Sequence, residues 1–241
     1  MEKPVIISAV RTPIGKFGGG LSSLKAVELG GIVIKAVLER LEIKPTCVDE
    51  VIMGNVLSSG QGMNPARQST LKAGLPNETP AITINKVCGS GLKAIIMAAQ
   101  AIKTMDATIV VAGGMESMSQ APYIIPKARF GFKLGNGEII DSMINDGLYD
   151  CMINSHMGIT AEHLAATYNI TREEADVYAL ESQLRTEKAI KSGVFKDEII
   201  PVGIPQSQSQ EIIISEDEHP RFGSTLDKLK ALKPVFDMAG V

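Results

Sequence analysis

Cysteine is scarce in this sequence and widely spaced. Cys47, Cys88 and Cys151 make an odd number, with no Cys-x-x-Cys pair. That excludes a disulfide framework and a zinc ribbon, and leaves reduced thiols in a cytoplasmic compartment as the expectation. Histidine is equally rare, with only His156, His163 and His219, and no metal site is expected. An excess of positive charge is also missing. Lys plus Arg total 24 against 27 Asp plus Glu, a net charge of −3, so no basic field invites nucleic acid or an anionic membrane. The phosphates of a ligand would need local positive groups instead. No apolar run is long enough to span a bilayer. The start, Met1-Glu2-Lys3-Pro4, has neither the apolar core of a signal peptide nor the Arg-rich character of a transit peptide. No internal repeat is found.

What is present is ordinary for a globular protein: 241 residues, 44% apolar and 21% charged, enough to bury a real core. Residues 5–10 read as a buried strand. Residues 11–20 form a loop punctuated by proline and glycines. A glycine-rich loop with Arg11 and Lys16 can cradle phosphate, but it lacks Walker spacing, and a structural loop crossing one end of a sheet is the preferred reading. Residues 24–41 have helical periodicity, with Leu24, Val27, Gly31, Ile34, Leu38 and Leu41 on one side. A strand follows at 50–56. Asn64-Pro65 opens a helix with a cap residue and then proline, and Gly74 ends it. Strands at 81–87 and 108–112 enclose a helix at 90–104. Alternation of this kind predicts a mostly parallel α/β sheet with right-handed crossovers.

The helix at 90–104 is polar only along Lys93, Gln100 and Lys103, so it is expected between layers, packed on both faces. Residues 121–150 carry scattered Pro, Gly, Asn and Asp, and no long helix is expected there; such a stretch is usually functional or an oligomer contact. Helices are predicted at 158–168 and from the capping box Thr171-Arg172-Glu173-Glu174 to Gly193. A strand pair at 199–202 and 211–215, joined by a polar Gln/Ser turn, and a short helix at 225–232 complete the pattern.

The stretch Asn85-Lys86-Val87-Cys88-Gly89-Ser90-Gly91-Leu92-Lys93-Ala94 organises the rest. A cysteine at a strand-to-helix junction meets free N–H groups and the helix dipole, which favour the thiolate. Gly89 and Gly91 remove bulk, so a thioester can come close. A small cysteine buried in a tight turn is the alternative, and on the residues alone both readings stay open.

This stretch resembles the nucleophile segment of thiolases, in the acetyl-CoA acetyltransferase branch. Other segments agree in order and spacing: Arg11-Thr-Pro-Ile-Gly-Lys-Phe-Gly-Gly19, Gly62-Met-Asn-Pro-Ala-Arg-Gln68, Val111-Ala-Gly-Gly-Met-Glu-Ser-Met-Ser119, His156-Met-Gly-Ile-Thr-Ala-Glu162 and His219-Pro-Arg221. The resemblance covers the whole chain, but only the family's N-terminal part. It implies a thiolase-like N-terminal α/β domain at 1–119, a mixed and mostly parallel sheet with flanking helices. It also implies an inserted α+β loop domain at 120–241, used for coenzyme A (CoA) binding and oligomer contacts. The family's C-terminal repeat domain is not expected within these 241 residues.

The implied chemistry belongs to lipid metabolism. Cys88 takes an acetyl group from acetyl-CoA, and a second acetyl-CoA condenses with it to acetoacetyl-CoA; thiolysis is the reverse. No covalently bound cofactor is implied, only the CoA thioester as substrate. His156 and Met157 match a pair lining the acyl and pantetheine end of the CoA site. Leu148, Arg221 and Phe236 match further CoA-contacting positions. Lys228 departs from the family, which often has serine there near the adenine end. Gly89 after the nucleophile favours the acetoacetyl-forming branch. Cys47 and Cys151 match no motif and are read as structural.

The family's histidines and second cysteine sit in motifs of Asn-Glu-Ala-Phe, Gly-His-Pro and Cys-x-Gly-Gly-Gly type, none of which occurs in these 241 residues. None of His156, His163 and His219 is assigned as the base for Cys88. The expectation is a shortened chain, incomplete for catalysis alone, and a homo-oligomer (dimer or tetramer) when complete. Two other readings stand beside it: a non-catalytic or split-enzyme subunit that needs a separate C-terminal half, and a β-ketoacyl synthase-like condensing enzyme.

Overall fold

The computed structural model describes residues 3–207 and 210–241. In chain order its elements are helix α1 (Ala26–Arg40), strand β1 (Glu50–Gly54), α2 (Pro65–Lys72), β2 (Ala81–Ile84), α3 (Ser90–Thr104) and β3 (Val110–Gly114). Short elements follow: β4 (Tyr123–Ile124), β5 (Ile140–Asp141), α4 (Ser142–Gly147), β6 (Tyr149–Asp150) and β7 (Ser155–His156). The last are α5 (Met157–Tyr168), α6 (Arg172–Ser192), β8 (Val202–Ser207), β9 (Gln210–Ile214) and α7 (Leu226–Lys230). The chain forms two compact units, Met1–Gly147 with Glu198–Glu218, and Leu148–Asp197 with His219–Val241. The β8–β9 hairpin therefore groups with the first unit, although it follows residue 120 in sequence.

In the first unit β1 pairs in parallel with β2 on one side and β3 on the other. A central strand covered on both faces should be apolar, and β1 is so from Val51 onward, where it is buried. The side chains alternate: Val51 and Met53 join Ala26, Ile34, Leu38 and Ala66 of α1 and α2, while Ile52 joins Ala94 and Ala98 of α3. This makes a three-layer arrangement, α1 and α2 on one face and α3 on the other. The hairpin adds Val202 and Ile204 to a further core with Leu21 and Leu29.

Local punctuation works as predicted. Asn64 caps α2 by accepting from Arg67 N, and Thr171 and Glu174 form a complete capping box on α6, which ends on Gly193 at φ 75°. The hairpin strands are displaced from 199–202 and 211–215, and residues 208 and 209 of the predicted Gln/Ser turn lie outside the described residues.

One expectation is corrected. Residues 5–10 belong to no strand, and Val5, Ile6 and Ile7 are exposed; among the described residues no neighbouring strand supplies the ladder that a strand requires. Among the described residues the α3 helix is packed on one face, and its other face is the one for which the family resemblance implies cover from the C-terminal part. Its small residues Ser90, Ala94 and Ala98 meet the sheet at four-residue spacing, while Leu92, Ile95 and Ile96 are exposed. The loop at 11–20 fits the structural loop preferred from its sequence, since Arg11 and several of its backbone N–H groups already hold carboxylates. Arg11 grips Asp217 at 2.7 and 2.9 Å through two nitrogens and Glu198 at 2.6 Å through Nε. Lys16 N and Gly20 N donate to Glu218 at 3.0–3.1 Å.

This cluster fixes the sign of one pH effect. Hydrogen bonds from Arg11 hold the Asp217 carboxyl below its ordinary value. A depressed carboxyl stabilises the fold above the unfolded pKa of about 3.9 and loses that contribution as pH falls through the lower folded value. Asp217→Asn is expected to cost about 1–3 kcal/mol at pH 7. The difference from the unmodified chain should shrink below about pH 4 in thermal unfolding. A difference constant from neutral to acid pH would remove the charge from the explanation.

Candidate active site

The carboxyl ends of parallel strands are where α/β sheets collect their functional loops. Here β1 ends at Gly54, β2 at Ile84 and β3 at Gly114, all at one end of the sheet. From β2 the chain turns through Asn85-Lys86-Val87 to Cys88 and enters α3. Asn85 Oδ1 accepts from Val87 N at 2.9 Å, Ser90 Oγ accepts from Lys86 N at 2.8 Å, and the same hydroxyl donates to Val87 O at 2.6 Å. Gly89 N and Ser90 N close the turn on Lys86 O and Val87 O. Val87, one residue before the cysteine, sits at φ +48°. A β-branched residue is an outlier there and stores strain of about 1–3 kcal/mol.

The turn lies tight against the sheet. A Cβ on Gly54 would stand 2.6 Å from Ser90 Cβ, 2.7 Å from Ser90 C and 2.8 Å from Gly91 N. Only a glycine at the end of β1 admits the first turn of α3 so close. Cys88 is exposed on this turn, at the start of a helix of 15 residues. A thiol so exposed is open to solvent and to reagents. Cys47 and Cys151 are exposed too, so exposure alone does not single out Cys88.

Behind the strand ends is a residue that sequence reading gave no role. Glu116 accepts from Asn55 Nδ2 and Val56 N, both at 2.8 Å, and more weakly from Leu57 N. Burial pushes its carboxyl above the ordinary value, against hydrogen bonds from Val56, Leu57, Asn55 and Ser117 that pull it down. The available signal was a lone glutamate among small and apolar residues, Gly113-Gly114-Met115-Glu116.

In the second unit the structure gathers four of the predicted CoA contacts. The β6–β7 pair brings Tyr149 opposite His156, and Leu148 O accepts from Met157 N at 2.9 Å. His156 caps α5, its Nδ1 accepting from Gly158 N at 3.0 Å, so the proton of the neutral ring is on Nε2. Its ring stacks on Phe236 with centroids 4.9 Å apart. Gly158 makes room for this stack, since a Cβ there would stand 2.3–2.4 Å from the Phe236 ring.

Arg221 shares no hydrogen bond with that group among the described residues. Its backbone N donates to Gln183 Oε1, and its exposed guanidinium forms no ion pair among the described residues. Lys228 Nζ donates to Gly223 O at 2.8 Å. Among the described residues no helix is long and apolar enough to cross a membrane.

Comparison with known proteins gives one direction. Residues 4–241 match the family described as thiolase, N-terminal domain. An acetyl-CoA acetyltransferase of Cupriavidus necator is 55% identical over 240 residues, covering 100% of this chain and 61% of that protein. A probable acetyl-CoA acetyltransferase of Escherichia coli is 50% identical over 240 residues, again 61% of its length. The crystal structure of the Bacillus anthracis acetyl-CoA acetyltransferase superimposes with a TM-score of 0.95 at 42% identity, covering all of this chain and 60% of that one. The chain thus spans about three fifths of the length of these relatives.

Proposed function

Since this chain belongs to the thiolase family through its N-terminal domain, we propose that it provides the nucleophile and part of the CoA site of an acetyl-CoA acetyltransferase. The observation that carries this reading is Cys88, exposed on a strained turn at the start of α3, where three parallel strands end. The Cys88 thiolate attacks the acetyl carbonyl of acetyl-CoA, the C–S bond to CoA breaks, and an S-acetyl cysteine remains. A second acetyl-CoA, having lost an α-proton, attacks that acetyl group; acetoacetyl-CoA forms and the thiolate is regenerated. Covalent catalysis of this kind divides one hard step into two. The N–H of Cys88 is a candidate donor to the developing oxyanion.

The CoA contacts in this reading are Leu148, His156, Met157 and Phe236 at the acyl and pantetheine end, supported by their grouping around the start of α5, and Arg221 toward the phosphates and adenine. Substrates and products are acetyl-CoA, acetoacetyl-CoA and CoA. A homo-oligomer is supported by the exposed Tyr123, Phe130, Phe132, Leu134 and Ile139. Three free thiols suit a cytoplasmic location. The Gly-His-Pro and Cys-x-Gly-Gly-Gly motifs do not occur in these 241 residues, so full turnover is expected to need groups from outside them.

Labelling the folded chain with limiting iodoacetamide tests the nucleophile. Cys88 should react first, by at least about tenfold over Cys47 and Cys151. Preferential labelling of Cys47 or Cys151 would end the assignment. The CoA site has its own test. Arg221→Ala should weaken CoA binding by about 1.5–3 kcal/mol, the range for hydrogen bonds to charged groups, in a titration of the chain with CoA. An unchanged Kd would remove Arg221 from the site.

A further inference from the structure

The proposed acetyl transfer assigns no step to Glu116, yet its carboxylate lies where the three strands end. We propose that Glu116 is a positioning residue that, through Asn55, sets where Cys88 stands at the start of α3. The proposal rests on the reading of Cys88 as the nucleophile.

The connections run as follows through the first unit. Asn55 Nδ2 donates to Glu116 Oε1 at 2.8 Å and to Met115 O at 3.2 Å, tying the loop after β1 to the end of β3. Asn55 N donates to Ile84 O at 3.0 Å, tying the same loop to the end of β2. Met115 N donates to Gly54 O at 2.9 Å. One carboxylate and one amide therefore link all three strand ends. Ile84 is the last residue of the strand that leads to Cys88, and Gly54 touches Ser90 and Gly91 just beyond it. A shift at the end of β1 reaches the cysteine turn from both sides.

The chemistry requires a carboxylate at this point. The groups aimed at Glu116 are all donors: Asn55 Nδ2, Val56 N, Leu57 N and Ser117 N. An ionised carboxylate is acceptor-only and satisfies them together. Glutamine has nearly the same shape but turns an NH2 toward either Asn55 Nδ2 or the backbone N–H groups, leaving a buried donor without an acceptor. Gln61 supports the arrangement by donating through Nε2 to Asn55 Oδ1 at 3.1 Å and to Leu57 O at 2.6 Å, which orients the amide toward Glu116.

The test uses the whole chain with two variants, Glu116→Gln and Gln61→Met. Iodoacetamide alkylation of Cys88 is measured by mass spectrometry against Cys47 and Cys151 in the same molecules, alongside thermal unfolding. A positioning role predicts that Glu116→Gln alkylates at Cys88 about tenfold more slowly while Cys47 and Cys151 keep their rates. Gln61→Met should lose less, in the same direction. A lowered unfolding temperature with the Cys88 preference intact in both variants would mean a structural role only and would overturn the proposal. If the unmodified chain shows no preference for Cys88, the nucleophile reading itself fails. Should Glu116→Gln not fold, Gln61→Met decides: an unchanged Cys88 rate counts against the proposal and a selective fall supports it.

Discussion

Cys88→Ala is expected to abolish acetyl transfer, lowering the rate by at least about a thousandfold while leaving the fold intact. The magnitude follows from the role. Without the thiol no S-acetyl intermediate forms, and the remaining binding contacts do not replace it. The cost to folding should be small, because the side chain is exposed and removes little apolar area from water. Activity can be assayed by mixing residues 1–241 with the part of the Cupriavidus necator relative that the match leaves out, or by fusing the two. Cys47→Ala and Cys151→Ala serve as controls, since both thiols are also exposed and neither is assigned a role. Equal losses in all three variants would point to general damage rather than chemistry.

Gly54→Ala should be nearly as damaging by a different route. The new methyl would meet backbone atoms of Ser90 and Gly91 at 2.7 and 2.8 Å, and backbone does not swing aside as a side-chain tip does. Either α3 lifts at its first turn or β1 shifts between its two partners. Overpacking of this kind costs about 1–3 kcal/mol. The effect on acetyl transfer should exceed the effect on stability, because a misplacement of about 1 Å can cost a hundredfold in rate. Measuring both in one variant separates them. A variant with normal transfer would mean that the close approach of α3 to β1 does not position the nucleophile.

Sequence reading found elements whose signals are local. Asn64-Pro65, Thr171 with Glu174, and Gly193 mark helix ends with their own side chains or backbone, so the boundaries of α2 and α6 were legible. The start of α3 followed from the change from a strand-like run to an apolar helical pattern. Residues 5–10 failed because a strand is a property of two segments, and an apolar run in one cannot supply the other. The fate of Arg11 was hidden for a similar reason. Its carboxylate partners Asp217 and Glu198 lie about 200 residues away in sequence.

For α3, composition described the helix correctly as apolar, but not which side chains meet the sheet. The small residues at positions 90, 94 and 98 face the sheet, and the larger Leu92, Ile95 and Ile96 face outward. At the candidate site, the cysteine turn could be read because its residues are consecutive. The clamp of Glu116 and Asn55 could not, because those residues are 61 apart and meet only once β1 and β3 pair.

The most direct test of the account is to trap the acyl group itself. Residues 1–241, mixed with or fused to the part of the Cupriavidus necator relative beyond the match, are incubated with acetyl-CoA, quenched in acid and analysed by peptide mass spectrometry. The account predicts one acetyl group on the peptide containing Cys88, released when CoA is added, and none in Cys88→Ala. Stable acetylation of Cys47 or Cys151 instead, or acetoacetyl-CoA formation that persists in Cys88→Ala, would contradict it.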